Sequence, residues 1–228
     1  MADNGNGGRI LVINPNSTQV VTDGIDEAMQ PLRFADGPRI DCATLAEGPP
    51  GIECQRHADS VVGPLCELIQ REDNAADAFI IACFGDPGLH SARETTTKPV
   101  VGIGEASYAQ ALQLGEKFGV ISILANSARR QRRYIRQLGL SDRYAASLPV
   151  GIGVTDLDGD AVAERMTEVG RKLIDDHGAE VLIMGCAGMA RHRGPVGRAL
   201  GVPVIDPSQA ACAQAIAAVR LGYGGSAG

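Results

Sequence analysis

The chain has 228 residues, 44% of them apolar and 21% charged, which is the composition of a water-soluble globular protein with a core large enough for two lobes. Its formal net charge of −6, its 4% aromatic content and its lack of Trp argue against a nucleic-acid partner, since both phosphate neutralisation and base stacking would be poorly served. No apolar run approaches the ~20 residues that span a bilayer, and the polar, glycine-rich Met1–Gly8 has no signal-peptide core, so a cytoplasmic protein with no membrane partner is expected. Six cysteines in such a chain read as thiols rather than disulfides.

In chain order, Ala2–Gly8 reads as a loose tail and Ile10–Ile13 as a short buried strand. The strand runs into Asn14-Pro15-Asn16-Ser17-Thr18, where turn residues and helix caps precede a helix predicted over 19–32. Asn14 and Asn16 serve either turn chemistry alone or the lining of a ligand cleft at this first strand-to-helix turn. A second strand is predicted over 40–45. The rigid loop 48–53 follows, with Glu53 either a helix amino-terminal acid or a ligand contact. The apolar spacing of Val61, Leu65, Leu68 and Ile69 predicts one helix over 55–71. The strand leading to Cys83 comes next, then a turn at Gly85–Gly88, a short helix over 89–95 and a strand over 99–103. Gly102-x-Gly104 lacks the third glycine of a dinucleotide fingerprint, because Ser107 occupies that place.

A helix over 107–114 leads to a strand over 118–124, and Ala125-Asn126-Ser127 opens a helix carrying Arg129-Arg130-Gln131-Arg132-Arg133. Such a run marks a solvated or subunit-facing surface, and a homo-oligomer is expected. A strand is predicted over 150–154. Asp156–Asp160 is an acidic turn that lacks the remaining ligands of a calcium loop. After a helix over 161–177 comes the run Val181 to Met189, four apolar residues that end at Gly185-Cys186-Ala187-Gly188. A helix near 195–200, a strand over 202–205, a helix over 208–220 and a loose tail over 222–228 complete the chain. The histidines are scattered and no Cys-x-x-Cys spacing occurs, so neither a metal nor a cofactor is expected.

The Cys186 run has a twin. Ala76 to Gly85 aligns without gaps to Ala179 to Gly188 as Ala, acid, four apolar, small, Cys, variable, Gly. Pro99-Val100-Val101 matches Pro203-Val204-Ile205 in the same order. The fold class expected is therefore α/β: two pseudo-symmetric Rossmann-like lobes, each a parallel sheet flanked by helices, with the site in the cleft between them. Residues 1–104 form the first lobe, completed by the last helix (208–228), and residues 105–207 form the second. Two such lobes present two thiols to one ligand. A thiolate takes a proton from one face of a carbon acid and the opposing thiol returns one to the other face. Helix amino termini and backbone N–H groups are expected to bring the thiols into an ionisable range. Cys42, Cys54, Cys66 and Cys212 read as packing residues.

The segments Asn14–Thr18, Ala82-Cys83-Phe84-Gly85-Asp86-Pro87-Gly88-Leu89 and Gly185-Cys186-Ala187-Gly188-Met189 resemble the signatures of hydantoin and allantoin racemases, within the aspartate/glutamate racemase superfamily. The resemblance spans essentially the whole chain. It implies a cofactor-independent racemase that inverts the C5 stereocentre of a small hydantoin-like ring, with Cys83 and Cys186 as the acid/base pair. It also implies substrate contacts at Asn14, Phe84, Gly85, Ala187 and Gly188, with Thr18 and Ser122 as further candidates. Amino-acid racemases of this group follow their cysteines with Asn-Thr and Thr-His; Phe84-Gly85 and Ala187-Gly188 better suit a neutral ring. Arylmalonate decarboxylases keep only the cysteine equivalent to Cys186. An amino-acid racemase, a maleate-type isomerase and a small-molecule binding protein remain open alternatives at this stage.

Overall fold

A computed structural model describes residues 7–157 and 159–224, residue 160 by its backbone alone. Most of the expected amino-terminal tail, Asp158 of the acidic turn and the end of the expected carboxyl-terminal tail lie outside the described residues. The first half of the chain runs β1 (Arg9–Asn14), α1 (Gln19–Ala28), β2 (Arg39–Thr44), α2 (Gln55–Ser60), α3 (Val62–Glu72), β3 (Ala78–Ile81), α4 (Leu89–Thr95), β4 (Val100–Gly102) and α5 (Ile103–Ala111). The second runs β5 (Phe118–Ser122), α6 (Ala125–Gln137), β6 (Tyr144–Pro149), α7 (Asp160–Asp175), β7 (Val181–Met184), α8 (Arg193–Leu200), β8 (Val204–Ile205) and α9 (Pro207–Leu221).

The strands form two four-stranded parallel sheets, in the orders β2-β1-β3-β4 and β6-β5-β7-β8. The order is the same in both, so the internal repeat of the sequence is a repeat of topology. β7 follows β3 at the same offset of 103 residues that separates the two cysteines. Even the exits match. The Ala82 N–H donates to the Ile13 carbonyl at 2.8 Å, and at the equivalent place the Gly185 N–H donates to the Ile121 carbonyl at 2.8 Å. Parallel strands covered on both faces read as unbroken apolar runs, which is why β3 and β7 were legible as AFII and VLIM.

Side chains alternate across the first sheet. Leu11, Ile13, Phe79 and Ile81 face a core closed by Leu65 and Ile69 of α3 and by Leu89 and Ala92 of α4. Ile10, Val12 and Ile80 face a larger core that is continuous with that of the second sheet, and α9 packs there against β3, β4 and α5. The junction of the halves is aromatic. Tyr108 of α5 meets Phe84 and Tyr134 edge to face and Phe118 at a tilt, at centroid distances of 5.6, 6.2 and 5.4 Å. Each such pair contributes about 0.5–1.5 kcal/mol beyond its buried area.

Several elements depart from the sequence expectation, each for a physical reason. The helix predicted over 55–71 is two helices that meet at Val61, because the ring of Pro64 excludes the carbonyl four residues earlier. The helix predicted over 19–32 ends at Ala28, and Pro31 sits in a 3-10 turn at Gln30–Leu32. No strand forms over 150–154: β6 lies earlier, at the sheet edge, where a half-exposed strand needs no apolar run, and Gly151 turns the chain at φ +81°. The helix predicted over 107–114 starts at Ile103, because its amino terminus is capped by a residue distant in sequence, Asp86.

Candidate active site

In parallel α/β sheets the carboxyl ends of the strands build the site. Here β3 and β7 deliver Cys83 and Cys186 to one small cavity. Phe84, Ala187 and Gly188 share its wall, as do Asn16 and Val21 from the first strand-to-helix turn. Across the wall stand Ile52, Val154, Ser127 and Arg130.

Both cysteine turns are built alike. The Asp86 N–H donates to the Cys83 carbonyl at 3.0 Å, and the equivalent Met189 N–H donates to the Cys186 carbonyl at 3.2 Å. The glycine before Cys186 is required: a Cβ on Gly185 would stand 2.7 Å from the Ile121 carbonyl oxygen. The Cys83 turn is the more strained, with Gly85 at φ +113° and Asp86 at φ +48°. Asp86 is the only non-glycine residue with positive φ among the described residues, a conformation that costs on the order of 1 kcal/mol. Three hydrogen bonds hold it there. Its carboxylate accepts from the Gly104 and Glu105 N–H groups at 2.7 and 2.8 Å and from the Tyr134 hydroxyl at 3.0 Å. It thus caps α5 and ties the Cys83 turn to α6 of the other half.

The Gly102-x-Gly104 pair finds its use here, not in a nucleotide. A Cβ on Gly102 would meet the Asp86 carboxyl carbon at 2.3 Å, and one on Gly104 would meet a carboxyl oxygen at 2.9 Å. Burial pushes the Asp86 carboxyl up to about 6 from its ordinary 3.8, against the lowering effect of the two N–H donors and Tyr134. The folded chain therefore holds a proton on Asp86 across a window, roughly pH 4 to 6, in which the unfolded chain has lost it. Stability from this group falls as pH rises through that window. Thermal unfolding of wild type and Asp86→Asn across pH 4 to 7 checks this. The stability of wild type relative to the variant should be greatest near pH 4 and decline toward pH 7, and a constant difference would contradict it.

The thiols do not ionise as readily as the sequence suggested. Burial dominates at both, pushing Cys186 up to about 11 and Cys83 higher still. The opposing influences are local: the Gly188 N–H, which donates to the Cys186 sulfur, and the Arg130 guanidinium beside Cys83. The Cys83 thiol is pushed further up by Cys186 and Asp86, both anionic when ionised.

Other sequence-predicted contacts take up different positions. Asn14 is buried behind the wall. Its amide donates to Asn16 Oδ1 at 3.1 Å and Thr22 Oγ1 at 3.0 Å, and its own oxygen accepts from the Asn16 N–H. It shapes the turn that presents Asn16. Thr18 lies on a neighbouring cleft, and its hydroxyl donates to the Pro50 carbonyl at 2.7 Å. Ser122 is fully buried under the floor, bonded to Gln131. Gly85 faces an outer groove that adjoins the cavity at Cys83 and Phe84. Glu53 precedes the α2 cap, so it is not a first-turn acid. Its carboxylate accepts from the Val154 N–H at 3.0 Å and latches the 48–53 loop to the other half.

Ile52, Ser127, Arg130 and Val154 were missed. Local signals existed for Ser127, in the helix-opening Ala125-Asn126-Ser127, and for Ile52, in the rigid 48–53 loop that could fold over a site. Arg130 was hidden in a basic run whose other arginines do lie on the surface. Among the described residues, no group of three or more His, Cys, Asp or Glu side chains is placed to hold a metal ion, and no helix is long and apolar enough to cross a membrane.

The two halves share one topology, and each follows its third strand with a thiol on a shared cavity, an α/β architecture of the kind found in the aspartate/glutamate racemase superfamily. The family signature described as Asp/Glu/Hydantoin racemase matches residues 10–215, and the chain belongs to that family of isomerases. A hydantoin racemase of Paenarthrobacter aurescens is 37% identical over 219 residues, covering 94% of this chain and 92% of the relative. Among solved structures, the allantoin racemase of Klebsiella pneumoniae superposes with a TM-score of 0.90 at 32% identity, covering 96% of this chain and 91% of its own. That of Pseudomonas fluorescens also gives 0.90, at 30% identity and 96% and 93% coverage.

Proposed function

We propose that this racemase inverts the C5 stereocentre of 5-substituted hydantoins, without a cofactor, by a two-thiol acid/base mechanism. The observation that carries the reading is the pair Cys83 and Cys186 at equivalent strand ends on one small cavity. Racemases similar to this chain are named for hydantoin and allantoin, both built on the same ring.

In this reading one cysteine, as thiolate, takes the C5 proton. The electron pair left on C5 spreads into the adjacent ring carbonyl, so negative charge develops on its oxygen. The backbone N–H groups of Phe84 and Ala187, the residues that follow the two cysteines on the cavity wall, are the donors that receive that charge. The other cysteine, as thiol, delivers its proton to the opposite face and becomes the thiolate. No atom is gained or lost, and the enzyme leaves the cycle ready for the mirror-image substrate. Phe84 covers the ring, and Asn16, held by Asn14, contacts it at the edge. Because the charge of one thiolate opposes ionisation of the other, they titrate as a coupled pair.

Incubation with a single enantiomer of a 5-alkyl or 5-aryl hydantoin, or of allantoin, tests this directly. Optical rotation should decay to zero, with no change after exhaustive dialysis against a chelator. Constant rotation with all three substrates would end the hydantoin reading, and strict dependence on an added metal would end the cofactor-independent one.

A further inference from the structure

The basic run on α6 has one member unlike the rest. Arg129, Arg132 and Arg133 are exposed, whereas Arg130 is half-buried and enters the cavity wall beside Cys83. Its Nη1 donates to the Glu53 carbonyl at 2.7 Å and its Nη2 to the Ser127 hydroxyl at 3.2 Å. Both acceptors are neutral. Among the described residues no carboxylate forms an ion pair with it. The nearby Glu53 carboxylate is turned to the Val154 N–H instead. A cation withdrawn from water and pinned by neutral groups is costly unless an anion forms next to it.

The surroundings show which anion. Arg130 faces Cys83, Cys54, Glu53 and Arg133, and of these only Cys83 shares the cavity with it. Cys83 in turn faces Cys186 and Asp86, which oppose its ionisation, and Arg130, which favours it. Among the described residues no cation favours ionisation of Cys186. It has the Gly188 N–H, against Glu53 and Asp206. The two halves are thus alike in backbone and unlike in how each thiolate is stabilised.

We propose that Arg130 is a positioning residue that supplies the counter-charge for the Cys83 thiolate, while Cys186 relies on the Gly188 N–H. The use of that thiolate in racemisation rests on the function proposed above; the charge pairing itself does not. Alkylation by iodoacetamide, which reacts with thiolates, tests it without any hydantoin. Cys83 and Cys186 are followed separately by mass spectrometry of their peptides, over a range of pH, in wild type, Arg130→Gln and Arg130→Lys. Cys83 in Arg130→Gln should react more slowly at pH 8 by on the order of tenfold, its profile moved to higher pH. Arg130→Lys, which keeps the charge, should recover most of the rate, and the Cys186 profile should not move upward in either variant. An unmoved Cys83 profile, an equal shift in the Gln and Lys variants, or an equal upward shift at Cys186 would each overturn the proposal. Alkylation that behaves as expected in a protein that racemises no hydantoin would sink the substrate reading and leave the charge pairing standing.

Discussion

Cys83→Ser and Cys186→Ser should each lower racemisation by at least about a hundredfold, because a positioned acid or base contributes roughly 10²–10⁴ and a serine hydroxyl is a far weaker acid than a thiol. The fold should survive, since each sulfur sits on a cavity wall and serine is nearly isosteric. The loss should not be uniform across partial reactions. Each single variant keeps one thiol, and that thiol still reaches one face of the ring. In deuterated water each variant should exchange the C5 proton of one enantiomer without completing inversion, and the two variants should prefer opposite enantiomers. Loss of the C5 proton signal by NMR, run separately on each enantiomer, reads this out. The same preference in both variants would mean that the two thiols do not act from opposite faces. Cys42→Ala and Cys66→Ala, away from the cavity, should leave turnover nearly unchanged.

Gly102→Ala should be among the most damaging single methyl additions in the molecule. The backbone at Gly102 is ordinary, at φ −86° and ψ 137°, so the cost is not conformational. It is steric: the new Cβ would lie 2.3 Å from the Asp86 carboxyl carbon and within 2.7 Å of both its oxygens. Asp86 cannot step aside cheaply, because it is short, buried and committed to two backbone donors and Tyr134. Overpacking together with disturbed buried hydrogen bonds should cost about 2–4 kcal/mol, read as a lower urea midpoint at unchanged slope. Turnover should fall as well, since the displaced carboxylate belongs to the turn that carries Cys83. Gly24→Ala is the control. It lies exposed in α1 with nothing within 4 Å of the new methyl, and it should stabilise by about 0.5–1 kcal/mol. Equal midpoints for Gly102→Ala and wild type would show that Asp86 moves freely.

How much of this was legible in the chain follows from what local sequence encodes. Strands buried on both faces announce themselves as apolar runs, and the two that matter most, β3 and β7, do so with a shared pattern that ends at a cysteine. Parallel pairing, the common topology of the halves and the strand-end position of Cys83 and Cys186 follow from that repeat, because a repeated unit folds to a repeated structure. The edge strand β6 escaped notice, since a strand with one solvated side has no such run and here lacks clear alternation. The start of α5 escaped because its cap, Asp86, lies 18 residues away and no local motif marks it.

What the sequence by itself determined is the backbone plan, the two thiols and the family to which they belong; these rest on period, repeat and short motifs, all of which are local. Only the tertiary structure decided which polar groups surround the thiols. It turned Arg130 inward from a run of surface arginines, moved Asn14 and Ser122 behind the wall, brought Asp86 under α5 and joined Glu53 to Val154. It also decided that burial outweighs the local donors at both sulfurs. The reason is physical. Desolvation and charge act through space over several ångströms, between residues that the chain keeps tens of positions apart, and no local pattern records which of them will meet.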